Sequence, residues 1–179
     1  MLSHRLHRRH RLRQGLRALF AFARPVDDLL AGRFLSPDQF AAFKRLRRGE
    51  QLHSLNVLCA VLAQNAVTPP DLAVAALMHD VGKIRSPVLL WQKSIVVLIR
   101  SFTPSAFERL SKGDPRRWLY RPFVVYVEHP AWSAEILSQT GASEAAIWLV
   151  AHHADPADRW RNHDLYPLLQ RLQAADDTN

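Results

Sequence analysis

Residues 72–78, Leu-Ala-Val-Ala-Ala-Leu-Met, carry no polar side chain and run directly into His79 and Asp80. They follow Thr68-Pro69-Pro70-Asp71, a turn whose prolines are placed to start a helix, and they are too apolar to be anything but a buried one. Any fold for this chain must therefore bring an imidazole and a carboxylate to the end of a buried element. Burying such a pair costs several kcal/mol unless each group is hydrogen-bonded or neutralised, and a bound divalent cation does this most directly.

The rest of the chain reads as helix too. Its 179 residues suit one domain, or a domain with an arm, and 48% hydrophobic content with only 6 Gly excludes a disordered or linker-like chain. Leu12, Leu16, Leu19, Phe20 and Ala23 recur at helical spacing among arginines, which makes residues 2–23 a basic amphipathic helix. Ser36-Pro37-Asp38-Gln39 is a capping box opening a helix to about Arg48. Leu52, Leu55, Cys59, Leu62 and Ala63 predict a second, from about Glu50 to Ala66, with Cys59 a small buried hydrophobe. Trp91, Ile95, Leu98, Ile99 and Phe102 form a stripe expected in the core, with Lys93, Ser94, Arg100 and Ser101 on the polar side. Pro130 is read as opening a helix to about Gln139, Gly141-Ala142-Ser143 as capping one through His153, and residues 165–176 as the last. No Gly-rich phosphate loop and no alternating β pattern occurs, so the predicted class is all-α.

Charge is unevenly placed. Residues 1–48 hold 12 Lys+Arg and 3 acids, whereas residues 49–179 hold 12 and 13. The basic character belongs to an N-terminal arm, set at residues 1–35, in front of a near-neutral domain at residues 36–179. For residues 2–23 three uses are open: packing on the core, lying on an anionic membrane, or, least favoured, touching a nucleic acid. Arginines interrupt every apolar stretch up to Arg17, which argues against a secretory signal, and no stretch is long and apolar enough to span a bilayer. A single Cys excludes an internal disulfide and suits a reducing compartment. The expected location is cytoplasmic, peripheral at the membrane if the arm binds it.

Outside the arm, His53, His79, His129, His152 and His153 stand in or beside apolar helical segments, and Asp176 offers a further carboxylate on the last helix. Four separate helices each delivering a His or His-Asp pair to the end of a buried segment are hard to explain by packing alone. Imidazole and carboxylate without thiolate suit one or two divalent ions, Mn, Fe, Mg, Ni or Zn, rather than a structural zinc-thiolate site.

The run Ala75-Ala76-Leu77-Met78-His79-Asp80-Val81-Gly82-Lys83-Ile84 resembles the signature of HD-domain metal-dependent phosphohydrolases. His53 stands 26 residues before His79, like that family's first His. Glu128-His129-Pro130 with Ser133-Ala134-Glu135-Ile136-Leu137, and the paired His152-His153, resemble the HD-GYP-like branch, and Ala174-Ala175-Asp176 is similar to the motif supplying the last ligand. The resemblance covers about residues 50–177 and implies an HD-type helical bundle. It also implies roles: His53, His79, Asp80 and Asp176 on a first metal, Asp80 bridging to a second held by His129 and His152, and His153 a ligand or a close neighbour. Asp80 and Lys83 would be the catalytic pair, Lys83 acting near the phosphate as charge donor or acid.

Where the HD-GYP branch continues with Glu and then its GYP motif, this chain has Ala154-Asp155-Pro156-Ala157-Asp158, so specificity for cyclic dinucleotides is not inherited. The Glu that some members place four residues before the first His falls on Gly49, with Glu50 one place off. The implied activity is hydrolysis of a small phosphomonoester or phosphodiester, expected to be a nucleotide. Arg116, Arg117, Arg121 and Lys83 are the candidate substrate contacts. The alternative is a regulatory domain that binds metal or nucleotide without turnover and docks through its basic arm.

Overall fold

A computed structural model describes residues 25–64 and 67–179, so the reading of residues 2–23 lies outside the described residues. Nine α-helices and two short 3₁₀ segments make up the described chain, with no strand among the described residues. In order they are α1 (Asp28–Gly32), α2 (Pro37–Lys44), α3 (Arg48–Gln64), α4 (Pro70–Met78), a 3₁₀ turn (Val81–Arg85), α5 (Leu90–Phe102) and α6 (Pro104–Ser111). There follow α7 (Arg121–Gln139), α8 (Glu144–His152), a second 3₁₀ turn (Ala157–Trp160) and α9 (Tyr166–Asp177). The all-α class read from the sequence is the class observed.

Local signals explain the starts. Ser36 Oγ accepts from Gln39 N at 3.3 Å while Gln39 Oε1 accepts from Ser36 N at 3.1 Å, and Ser143 Oγ accepts from Ala146 N at 3.1 Å. Helix α8 begins just after Gly141, whose φ of +67° is the left-handed conformation that a side chain resists. Helix α2 stops at Lys44, four residues short of expectation, because the side chain of Gln51 donates to the carbonyls of Lys44 and Leu46 and turns the chain into α3.

The core lies where α3, α4, α7, α8 and α9 meet. Leu72, Ala73, Ala75, Ala76, Leu77 and Met78 of α4 are fully buried, against Val57, Leu58 and Val61 of α3, Leu137 of α7, Leu149 and Val150 of α8, and Leu169 and Leu172 of α9. Residues 26–35 belong to this packing, since Ala31 is fully buried and Leu35 nearly so.

Three sequence expectations are corrected here. On α3 the inward face is Gln51, Ser54, Leu55, Val57, Leu58 and Val61, about one position round the wheel from the predicted stripe, and Cys59 is exposed. Pro130 does not open a helix: it lies inside the 19-residue α7. On α5 the stripe expected in the core faces outward, with Trp91 53%, Leu98 55% and Phe102 79% exposed, and among its described side chains only Gln92 and Val96 are buried. Helices α5 and α6 thus stand outside the main core. They pack on α7 and leave a cavity of about 930 Å³ between themselves and the core, lined on one side by Val96, Val97, Arg100 and Phe107 and on the other by His53, Asp80, His129 and His153.

Candidate metal centre

Three imidazoles are aimed by the main chain of their own helices. His79 Nδ1 lies 3.0 Å from the Ala76 carbonyl and His153 Nδ1 2.7 Å from that of Val150, each a residue three positions back. His129 Nδ1 lies 2.9 Å from the Val125 carbonyl and 3.0 Å from that of Tyr126. A carbonyl only accepts, so each Nδ1 carries a proton, which in a neutral imidazole leaves Nε2 to present the lone pair. For His129 the arrangement accounts for the proline beside it. Pro130 has no N–H to give the Tyr126 carbonyl four residues back, and the imidazole of His129 fills that role.

These Nε2 atoms converge on Asp80, the residue just before the first 3₁₀ turn. His129 Nε2 is 3.3 Å from Asp80 Oδ1, while His79 Nε2 is 3.6 Å and His53 Nε2 4.0 Å from Asp80 Oδ2. Asp176, brought in by α9, places Oδ1 2.9 Å from His53 Nε2 and 3.7 Å from His79 Nε2. The His153 ring packs edge-on between those of His79 and His129, with centroids at 5.0 and 5.1 Å. Two ligand sets result, His53, His79 and Asp80, and Asp80, His129 and His153, each with its donor atoms within 4.8 Å of one another and sharing one carboxylate.

The donor set fits a divalent cation. His79 Nε2 is wholly buried and has no hydrogen-bond partner, and an orphaned buried lone pair is costly unless something positive meets it. Nitrogen and oxygen donors without thiolate match borderline and hard ions, and the Nδ1–H bonds to main-chain carbonyls are the outer support that metal-ligating imidazoles use.

Electrostatics agree with that use. Burial pushes His79 down, and burial together with the neighbouring His79 and His129 pushes His153 down to about 3, so both stay neutral and able to ligate. Burial opposes ionisation of Asp80, yet the Lys83 ammonium, 2.5 Å from its Oδ2, and the flanking imidazoles hold it well below the usual carboxylate range. Burial works against Asp176 as well, and its bond to His53 brings it to about 2. Burial would lower His53, but Asp176 and Asp80 raise it; burial would lower Lys83, but Asp80 and Glu50 keep it cationic.

Of the residues singled out from sequence, His53, His79, Asp80, Lys83, His129, His153 and Asp176 are brought together. His152 is not. Its Nδ1 is bound to Asp155 at 2.9 Å and its ring lies against Trp160 at 4.0 Å and Trp148 at 4.7 Å, so the reading of His152 as a ligand is corrected in favour of His153. Neighbouring helix positions point about 100° apart, so only one of the pair can face Asp80. Arg116, Arg117 and Arg121 do not line the cavity. Arg121 is occupied with the Pro115 and Arg116 carbonyls, and Arg117 lies over the Tyr120 ring.

Of the cations that line the cavity, Lys83 was expected, and Arg45, Arg47, Lys93 and Arg100 were missed. Arg45 and Arg47 carried a signal, a basic run within two turns of His53; Lys93 meets Glu50 from 43 residues away, which no local pattern shows. Gln173 was missed as well: its Nε2 donates to the carbonyls of His153 and Asp155 at 2.9 and 2.7 Å, tying α9 to the end of α8.

Comparison with known families gives one match, the HD domain, over residues 52–179, which takes in every residue of the cluster. No curated protein and no solved structure matches the chain.

Proposed function

The chain belongs to the HD domain family, and from that membership together with its His/Asp cluster we propose that it is a metal-dependent phosphohydrolase acting on a small phosphate ester, a nucleotide by preference. The observation that carries the reading is the pair of three-residue ligand sets hinged on Asp80. His53, His79, Asp80 and Asp176 would hold one ion, and Asp80, His129 and His153 a second. Such ions, when bound, polarise phosphoryl oxygens and lower the pKa of a water.

The chain's own groups do the rest. The Nδ1 bonds of His79, His129 and His153 fix ring orientation before any ligand arrives, so no reorganisation is needed at the reaction step. Lys83, kept cationic and placed on the cavity wall, is positioned to neutralise charge on a phosphoryl oxygen or to protonate a leaving group. Arg45 and Arg47 add positive charge at the same cavity, while Val96, Val97, Phe107 and Val125 give it an apolar wall suited to a base. A volume of about 930 Å³ accommodates a nucleotide. The expected setting is the cytoplasm, where a lone Cys remains a thiol.

The test is metal content measured alongside hydrolysis of bis(p-nitrophenyl) phosphate and p-nitrophenyl phosphate, with and without chelator. Bound divalent metal and chelator-sensitive turnover are expected. Nucleotide binding without turnover would favour the regulatory alternative, and no bound metal at all would overturn the reading.

A further inference from the structure

Helix α5 is turned inside out. Its cationic side chains face the protein: Lys93 pairs with Glu50, and Arg100 lies over the Tyr126 ring, 5.1 Å from its centroid, and donates to the Tyr126 hydroxyl. Its apolar stripe, Trp91, Ile95, Leu98 and Phe102, faces solvent at 38 to 79% exposure, and the segment between α6 and α7 adds Trp118 at 66% and Leu119 at 47%. An amphipathic helix ordinarily buries its apolar face, and exposed apolar side chains gathered in a row mark a surface that something else covers.

Charge indicates what that is. The near-neutral total of residues 49–179 conceals a segment, residues 85–121, with 8 Lys+Arg against 2 acids, while residues 122–179 carry 3 against 8. Arg109, Lys112, Arg116 and Arg117 within that segment are exposed. A second copy of the chain meeting this face would set like charge against like charge. A nucleic acid would satisfy the cations but gain little from an aliphatic stripe such as Ile95 and Leu98. Aromatic and aliphatic side chains on one face, embedded in a cationic segment, match the surface of a bilayer containing anionic lipid.

We propose that α5 and the basic segment around it form a peripheral docking surface for anionic membranes, with Trp91, Leu98 and Phe102 seated at the level of the headgroups. The surface is built from residues 85–121 and does not depend on the hydrolase reading. Because the opposite face of α5 lines the cavity through Lys93, Val96, Val97 and Arg100, docking brings the cavity next to the bilayer.

Flotation of the full chain with vesicles tests it, comparing pure phosphatidylcholine with phosphatidylcholine containing phosphatidylglycerol. The chain is expected to float with the anionic vesicles and release at high salt. The variant Trp91→Ser, Leu98→Ser, Phe102→Ser is expected to lose at least about tenfold in partitioning with its melting temperature unchanged, since all three side chains are exposed. Arg116→Gln and Arg117→Gln should each lower partitioning by about fivefold. Flotation of the triple variant equal to the parent would assign binding to residues 2–23 and overturn the proposal. So would no flotation, retention on RNA that the triple variant abolishes, or a parent dimer that the triple variant converts to monomer in light scattering.

Discussion

Replacing Gly82 with Ala should both destabilise the fold and loosen the ligand cluster. Gly82 stands two residues after Asp80, where the first 3₁₀ turn crosses α7. An added Cβ there would collide with the His129 carbonyl and come within 2.7 Å of Ser133 N and 2.9 Å of Ser133 Oγ. Ordinary contact begins near 3.4 Å, so the turn and α7 would have to part by roughly 1 Å to clear the His129 carbonyl, and two of the three obstacles are backbone that cannot rotate away. The movement also stretches the bond from Gly82 N to Ser133 Oγ, 2.7 Å long and buried. Overpacking costs about 1–3 kcal/mol and a weakened buried hydrogen bond about 1 kcal/mol, or about 2–4 kcal/mol together. For a domain of this size that lowers the melting temperature by about 5–15 °C. The same displacement moves His129, on α7, away from Asp80, to which it is now 3.3 Å distant, and so should weaken metal binding by about tenfold or more. Calorimetry and metal titration of Gly82→Ala are the assays, with Ser133→Ala separating the lost hydrogen bond from the collision. A melting temperature within about 2 °C of the parent, with unchanged metal affinity, would refute the reasoning.

His153→Ala should lower metal affinity more than about 100-fold while His152→Ala leaves metal content intact; elemental analysis showing the reverse would mean that the two imidazoles exchange places. Stability of the chelated protein should fall as pH drops below about 6.5. Over that range the unfolded chain takes up protons that folded His153, depressed to about 3, excludes; His79 acts in the same direction and His53, raised by its carboxylate partners, opposes them. A further loss should appear below about pH 4 as Asp176, held at about 2, is protonated. Denaturant titrations across pH check this, and a flat profile between pH 4 and 6.5 would contradict it. Arg45→Ala should raise KM for an anionic ester severalfold with kcat and metal content unchanged; a fall in kcat alone would remove Arg45 from substrate binding.

How far the sequence could be read depended on whether a residue's surroundings were local. His79 and Asp80 follow a run with no polar side chain, a run with only one place to go, and the structure has their side chains 1% and 3% exposed. The capping box at Ser36 is likewise complete within four residues. Between His152 and His153 nothing local decides, because the choice rests on how α8 is rolled against α4 and α7. Pro130 looked like a helix start because the usual objection to an internal proline is the stranded carbonyl of Tyr126. The answer to that objection is the imidazole of His129, a feature adjacent in sequence but visible only once the ring orientation is known.

The stripe on α5 marks the boundary of this kind of reasoning. Periodicity identifies an apolar face, but that face is buried only if the remaining elements have a surface to offer it. Here α4 already occupies the centre, enclosed by α3, α7, α8 and α9. Helix α5 lies outside that core and meets the rim of a cavity lined by Asp80, Glu50 and Asp176. Polar groups at that rim hold the helix's cations, Lys93 on Glu50 and Arg100 on Tyr126, beside Val96 and Val97. With the polar face committed inward, geometry leaves Trp91, Leu98 and Phe102 outside. Glu50, which stands beside the ligand cluster without belonging to it, therefore helps to fix which way α5 faces, so Glu50→Gln should disturb the outer surface as well as the cavity, read as a change in Trp91 fluorescence.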